Sequence, residues 1–367
     1  MKKKHILLIF FMGVFIVIAV VFSLFVGRND SVDVTNAKGF LYYSTSATNF
    51  VTKGSLYVIN DENEVQKLVK TDGMDLGQVY QQDDMFILND DKATYFIHND
   101  EIVKEKRADT EHTAIFSSVI DGKRVELYNH GYIDQATHGS HLYWEHDGAM
   151  QFAELRYFIS KSGSDGKSLF VIEEDDEENN EIILRQIALD QTIEDTPLLV
   201  LADDVDNYLI MTDMLAKDNQ LYYIVNIDYD YALGKVDLNT MEQSETPFLE
   251  VKNNGDIAEH LPSKSHSGIH MTDDFIYFYD GTGVLYQFNL EGNLLETLST
   301  VPDYHEYNDI FPAWDDETLY IFKNGDDSTI QSVNLLDMAL QSEIEIDTKN
   351  LKVNEQFLFD FKIINGF

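Results

Sequence analysis

Short apolar runs alternate with polar turns along almost the whole chain. Segments 40–43, 55–59, 85–88, 94–97, 142–144, 168–172, 181–187, 221–227, 275–279, 284–290, 318–322 and 357–364 are rich in Tyr, Phe, Ile, Leu and Val. Asp, Asn and Gly separate them, as expected for strands joined by tight turns. Apolar spacing of i, i+3, i+4, i+7 is rare beyond residue 28, so helix is expected to be minor there.

The exception comes first. From Ile6 to Gly27 the chain reads ILLIFFMGVFIVIAVVFSLFVG, without a charge. That length suits a helix crossing a hydrocarbon core of about 30 Å. It exceeds a secretory apolar core, and no small-x-small cleavage site follows it. An uncleaved signal anchor over residues 6–27 is the expectation. Lys2, Lys3 and Lys4 precede it, while Arg28 is soon followed by Asp30 and Asp33. The positive-inside rule then places residues 1–5 in the cytoplasm and the rest outside, making a single-pass protein of the cell membrane. Residues 28–38 read as a tether and 39–367 as the ectodomain.

A longer pattern runs through the ectodomain. An acidic pair precedes an aromatic strand in Asp83-Asp84-Met85-Phe86, Asp273-Asp274-Phe275-Ile276 and Asp315-Asp316-Glu317-Thr318, and more loosely at Lys217-Asp218-Asn219. Residues 266–299 hold a full unit of four strands and three turns, which fits one propeller blade. Six such units fall near 75–107, 112–148, 150–202, 207–251, 266–299 and 308–347. A seventh is expected to combine 356–364 with three strands from 39–70, closing the ring and covering its edges. The irregular stretch 112–202 leaves six or eight blades open. Tandem β-sandwiches are the alternative, but no linker breaks the period after residue 38.

On these repeated units, residues 39–367 resemble the broad superfamily of bacterial extracellular β-propellers, at the quinoprotein-like and WD40-like level. The Gly-His to Trp-Asp repeat, the kelch double glycine and the tryptophan-docking motif are absent, so the resemblance implies architecture and no site residue.

Charge narrows the partners. The chain has 26 Lys and Arg against 65 Asp and Glu, a net charge of −39. Setting aside Lys2, Lys3, Lys4 and Arg28 leaves 22 basic against 65 acidic residues, or −43. Such a surface repels nucleic acid, and it attracts cations, Ca²⁺ or a basic extracellular protein. Cys is zero, which removes thiolate metal sites, disulfides and a Cys nucleophile.

Three constellations carry candidate chemistry. His138, His141 and His146, beside Glu145 and Asp147, offer imidazole and carboxylate to a metal, although strand alternation sends His141 and His146 to opposite faces. His266 and His270, four apart, would share one face of a strand and could line the central channel. Asn226, Asp228, Asp230 and Asp237 echo a Ca²⁺ loop, with Tyr231 where such a loop needs Gly. The acidic run 173–181 reads as a solvated hairpin. No Gly-x-Ser-x-Gly elbow and no phosphate-cradling loop occurs, since Gly281-Thr282-Gly283 is a hairpin turn. Trp144 and Trp314 lie near turns, where packing in the core is the expected role. The sequence favours a non-enzymatic propeller binding a protein or small ligand. An extracellular hydrolase or lyase acting on a cell-envelope or carbohydrate substrate at the central channel is the alternative.

Overall fold

The computed structural model describes residues 34–46, 52–107, 109–134, 137–175, 180–251, 266–300, 310–325, 327–353 and 355–367. These residues form strands and turns and no helix, so the all-β propeller expectation holds. The expected span from Ile6 to Gly27 lies outside them. No helix among the described residues is long and apolar enough to cross a membrane.

Five four-stranded antiparallel sheets stand separately: 79–106, 113–155, 269–299, 310–345, and a closing sheet made from both chain ends. In the closing sheet Phe357–Ile363 pairs with Gly39–Ser44, followed by Gly54–Ile59 and Val65–Thr71. The expected closure is present. The expectation of seven separate blades is not met in that form, because the strands from 159 to 250 join in one nine-stranded sheet. Ile159–Ser164 there runs parallel to Met214–Lys217, through Gly163↔Met214 and Ser164↔Leu215. A Cβ at Gly163 would lie 2.2 Å from the Met214 carbonyl oxygen, so only glycine lets the two strands come this close. Ala149–Leu155, expected to open the next unit, instead completes the sheet before it.

Exposure is greatest in the fourth strand of each sheet, and burial is greatest in the middle strands. Glu101–Lys106 and Leu294–Ser299 are mostly exposed, whereas Phe86–Asn89 and Ile276–Tyr279 are buried. The first strand therefore lies toward the axis and the fourth at the rim, so the turns after first strands share one face of the disc. The repeated acidic pairs sit in those turns. Asp83, Asp121, Asp147 and Asp218 adopt positive φ, and Asp121-Gly122 and Asp147-Gly148 both carry positive φ throughout, the geometry of a tight hairpin. On the opposite face, three outgoing connections tie to the hairpin between second and third strands. Glu111 N donates to Asp91 O at 2.8 Å, Thr300 N to Gly283 O at 2.9 Å, and Ile346 N to Ser328 O at 2.9 Å.

Neighbouring sheets pack through apolar clusters. Phe40, Tyr42 and Leu56 meet Phe86, Leu88 and Tyr95. Leu41, Tyr43 and Tyr57 meet Phe311, Tyr320 and Phe322 on the other side of the closing sheet. The contact between sheets 79–106 and 113–155 departs from this pattern. Its small apolar cluster holds only Met74, Ala114 and Tyr128 at its centre, and ionisable side chains fill the rest.

Candidate functional site

The polar contact follows from strand alternation. Glu126, Tyr128 and His130 occupy alternate positions in Lys123–Tyr132, and His141 pairs with Tyr128 while Tyr143 pairs with Glu126. Directly paired residues share a face, so all five side chains point to one side of the sheet. A register shift leaves His130 between the Asn129↔Ser140 and Gly131↔Gly139 pairs. The bulge frees the end of this strand to bend toward the incoming connection.

Glu111 meets them from that connection and is fully buried. Its Oε1 lies 2.9 Å from His141 Nδ1 and accepts the Tyr143 hydroxyl at 2.7 Å. Its Oε2 lies 3.4 Å from His130 Nδ1. The rings of His130 and His141 stack with centroids 4.0 Å apart and planes 22° apart. The His112 ring lies 5.7 Å from that of His130, and Phe152 sits 5.1 Å from both His141 and Tyr143. Burial pushes the Tyr143 phenol up, with the Glu111 carboxylate adding to the effect. Phe152, half exposed, rims the cluster, whereas Tyr132 packs on His138 at the other face of the sheet.

Deeper in the same contact, Glu126 accepts the hydroxyls of Tyr80 and Tyr128, each at 2.9 Å, and pairs with Arg107 Nη2 at 3.1 Å. Arg107 also contacts the Tyr128 hydroxyl and lies over its ring at 4.4 Å. Burial alone would lower the pKa of Arg107, but Tyr128 and Glu126 beside it outweigh this and raise it.

A second group of ligand-type atoms, from Asp72, Asp90 and Asp91, lies on the same face. Asp90 is a turn brace: its Oδ1 accepts the amides of Lys92 and Ala93, and its Oδ2 that of Asp72. Burial raises its pKa. Asp91 Oδ2 accepts the Thr52 hydroxyl and pairs with Lys92.

The sequence candidates land elsewhere, with one exception. His138 and His146 lie at opposite ends of one strand, roughly 26 Å apart at ~3.3 Å per residue. His138 stacks on Tyr132, and His146 faces Asp147 and Asp190. His141 alone joins the cluster. Asn226, Asp228 and Asp230 cluster at one hairpin, but Asp237 lies at the far end of Asp230–Asp237, roughly 23 Å away at ~3.3 Å per residue, so these four cannot surround one ion. His266 Nε2 lies 3.4 Å from Asp360 Oδ1, whereas His270 stacks on Trp314 at 5.1 Å, so the two part company. Burial lowers the pKa of His270. Trp144 and Trp314 donate to the carbonyls of Asp190 and Ser267, as core side chains do. The acidic-turn face carries a cleft of about 650 Å³ lined by Lys217, Asp273, Asp274, Asp316 and Leu336. Lys217 Nζ donates there to the Asp273 carbonyl at 2.6 Å.

Sequence reasoning missed Glu111 and His130. The alternation of Glu126, Tyr128 and His130 was the available signal, since three polar or amphipathic side chains on one buried face need partners.

The family model described as "YycP, beta-propeller domain" matches residues 33–364. No match was found among curated proteins. Among solved structures, a puromycin-hydrolyzing peptidase of Mycobacterium tuberculosis is 12% identical with a TM-score of 0.51, covering 88% of this chain and 56% of its own. Apo AztD from Citrobacter koseri is 12% identical with a TM-score of 0.48, covering 89% and 98%. BamB from Moraxella catarrhalis is 13% identical with a TM-score of 0.44, covering 86% and 85%. At these identities the likeness is one of fold.

Proposed function

We propose that this chain, which belongs to the YycP β-propeller family, is a membrane-tethered extracellular binding module rather than an enzyme, and that it takes its ligand on the face carrying Glu111, His130 and His141. The observation that carries this reading is the cluster itself, a fully buried carboxylate held by two stacked imidazoles under an exposed aromatic rim. Both Glu111 oxygens are engaged, which suits a fixed recognition element better than a free base. The tether rests on the uncharged stretch from Ile6 to Gly27 and its flanking charges. We also read the nine-stranded sheet as two blades joined at their inner edges, seven in all. Supporting this, Phe170, Ile172 and Leu184 pack face to face against Leu221, Tyr223 and Val225, as separate blades do.

Protease added to protoplasts is expected to digest residues 29–367 and leave a short membrane fragment; protection of the domain would reverse the orientation. The binding face is tested with a photo-reactive amino acid in intact cells. Placed at Phe152 it is expected to give a discrete adduct that the same probe at Leu336 does not. An adduct from Leu336 alone would move the site to the acidic cleft, and none from either would remove the proposal.

A further inference from the structure

We propose that Glu111, His130 and His141 form a site for a divalent transition metal of the zinc class. The inference rests on the binding face proposed above and names what that face holds. The three residues place one ligand-type atom each within 4.8 Å of the others. Two imidazoles and one carboxylate form a donor set suited to zinc, with a further position left for solvent or an incoming group. Donor atoms around a tetrahedral ion with bonds of about 2.1 Å lie roughly 3.4 Å apart. The Glu111 oxygens lie 2.9 Å from His141 Nδ1 and 3.4 Å from His130 Nδ1, close to that spacing, and the stacked rings would swing apart to aim both Nδ1 lone pairs at the ion.

Binding through Nδ1 requires each neutral ring to carry its proton on Nε2, and the ion then occupies the place of the hydrogen bonds to Glu111. Tyr143 keeps its hydroxyl on Glu111 Oε1 and orients the carboxylate from outside the ligand set. The half-exposed Phe152 beside His141, with His130 itself partly exposed, leaves a route for entry. Glu111 comes from the connection and both histidines from the sheet, so the ion would also pin the connection in place.

The test is a Zn²⁺ titration of the full-length chain purified in detergent, followed by calorimetry and by the visible spectrum of Co²⁺ as a substitute. One ion per chain is expected, with Co²⁺ absorption of a low-coordinate nitrogen and oxygen site. His130→Gln and His141→Gln are each expected to weaken binding tenfold or more, and Tyr143→Phe roughly 10- to 100-fold. His138→Gln and His146→Gln should leave the affinity unchanged. His141 is buried, so circular dichroism must confirm that its variant folds; His130, partly exposed, supplies the independent variant. Absence of a saturable Zn²⁺ site, or affinity unaffected by His130→Gln, would overturn the proposal. An adduct at Phe152 persisting in that case would leave the binding face standing with another ligand.

Discussion

Deleting residues 355–367 is expected to abolish the folded propeller. The deletion removes the innermost strand of the closing sheet, which the N-terminal strand Gly39–Ser44 needs as a partner. Leu358, Phe359 and Phe361 are each at most 5% exposed. Losing a buried side chain of this size costs about 2–5 kcal/mol, so the three together rival the whole stability of a domain, about 5–15 kcal/mol. The polar loss adds to this. Asp360 Oδ2 accepts the Val79 amide at 2.7 Å and its Oδ1 faces His266, so the strand also joins the start of the next sheet to a distant one. Gly39–Ser44 would be left with an open edge exposed to other chains. Expression of residues 1–354 should yield aggregate, with no cooperative thermal transition by circular dichroism. A soluble truncation melting at the full-length temperature would show that stability does not pass through the closing sheet.

The terminal strand also shows how far the sequence could be read. Its apolar residues and the count of partners at the other chain end were enough to predict the closure. Strict alternation would place Phe357, Phe359, Phe361 and Ile363 on one face. Instead Tyr42 pairs with Asp360 and Tyr43 with Leu358, so Phe359 is bulged. Phe359 then packs toward sheet 79–106, while Leu358 and Phe361 pack toward sheet 310–345, and Phe357 is 62% exposed. A bulge changes the period locally and leaves no mark in composition.

The site was less legible for a different reason. Local spacing suggested His138, His141 and His146, yet a strand of nine residues holds its ends far apart. The partners of His141 come from the bulge at His130 and from a connection 30 residues earlier. The Ca²⁺-like spacing failed likewise, because Asp237 belongs to the next turn along the chain. Acidic pairs were legible as turns: Asp83 takes positive φ, and Asp315 Oδ1 accepts the amides of Glu317 and Thr318, both local habits of Asp.

Replacing Glu126 by Ala is expected to cost about 3–5 kcal/mol, because it strands a buried arginine. The side chains of Glu126 and Arg107 are 5% and 9% exposed, and the pair closes at 3.1 Å. Glu126 also takes the hydroxyls of Tyr80 and Tyr128, so one substitution removes the acceptor for three donors. Arg107 cannot shed its proton to escape, unlike a lysine. Thr94 and Tyr128 remain near it, but neither supplies a countercharge, and its Nη1 already donates no hydrogen bond. Glu111 is the other acid acting on Arg107, and it is already committed to His130, His141 and Tyr143. The double variant Arg107→Met with Glu126→Leu removes both charges and should recover most of the loss, since apolar replacements of similar volume can match a buried ion pair. Urea unfolding of the wild type, the single variant and the double variant measures this directly, with equal slopes expected and midpoints displaced. A single variant as stable as the wild type would mean that Arg107 turns out to solvent when Glu126 is gone. A double variant less stable than the single would mean that the charges hold sheets 79–106 and 113–155 together where the other contacts use apolar packing.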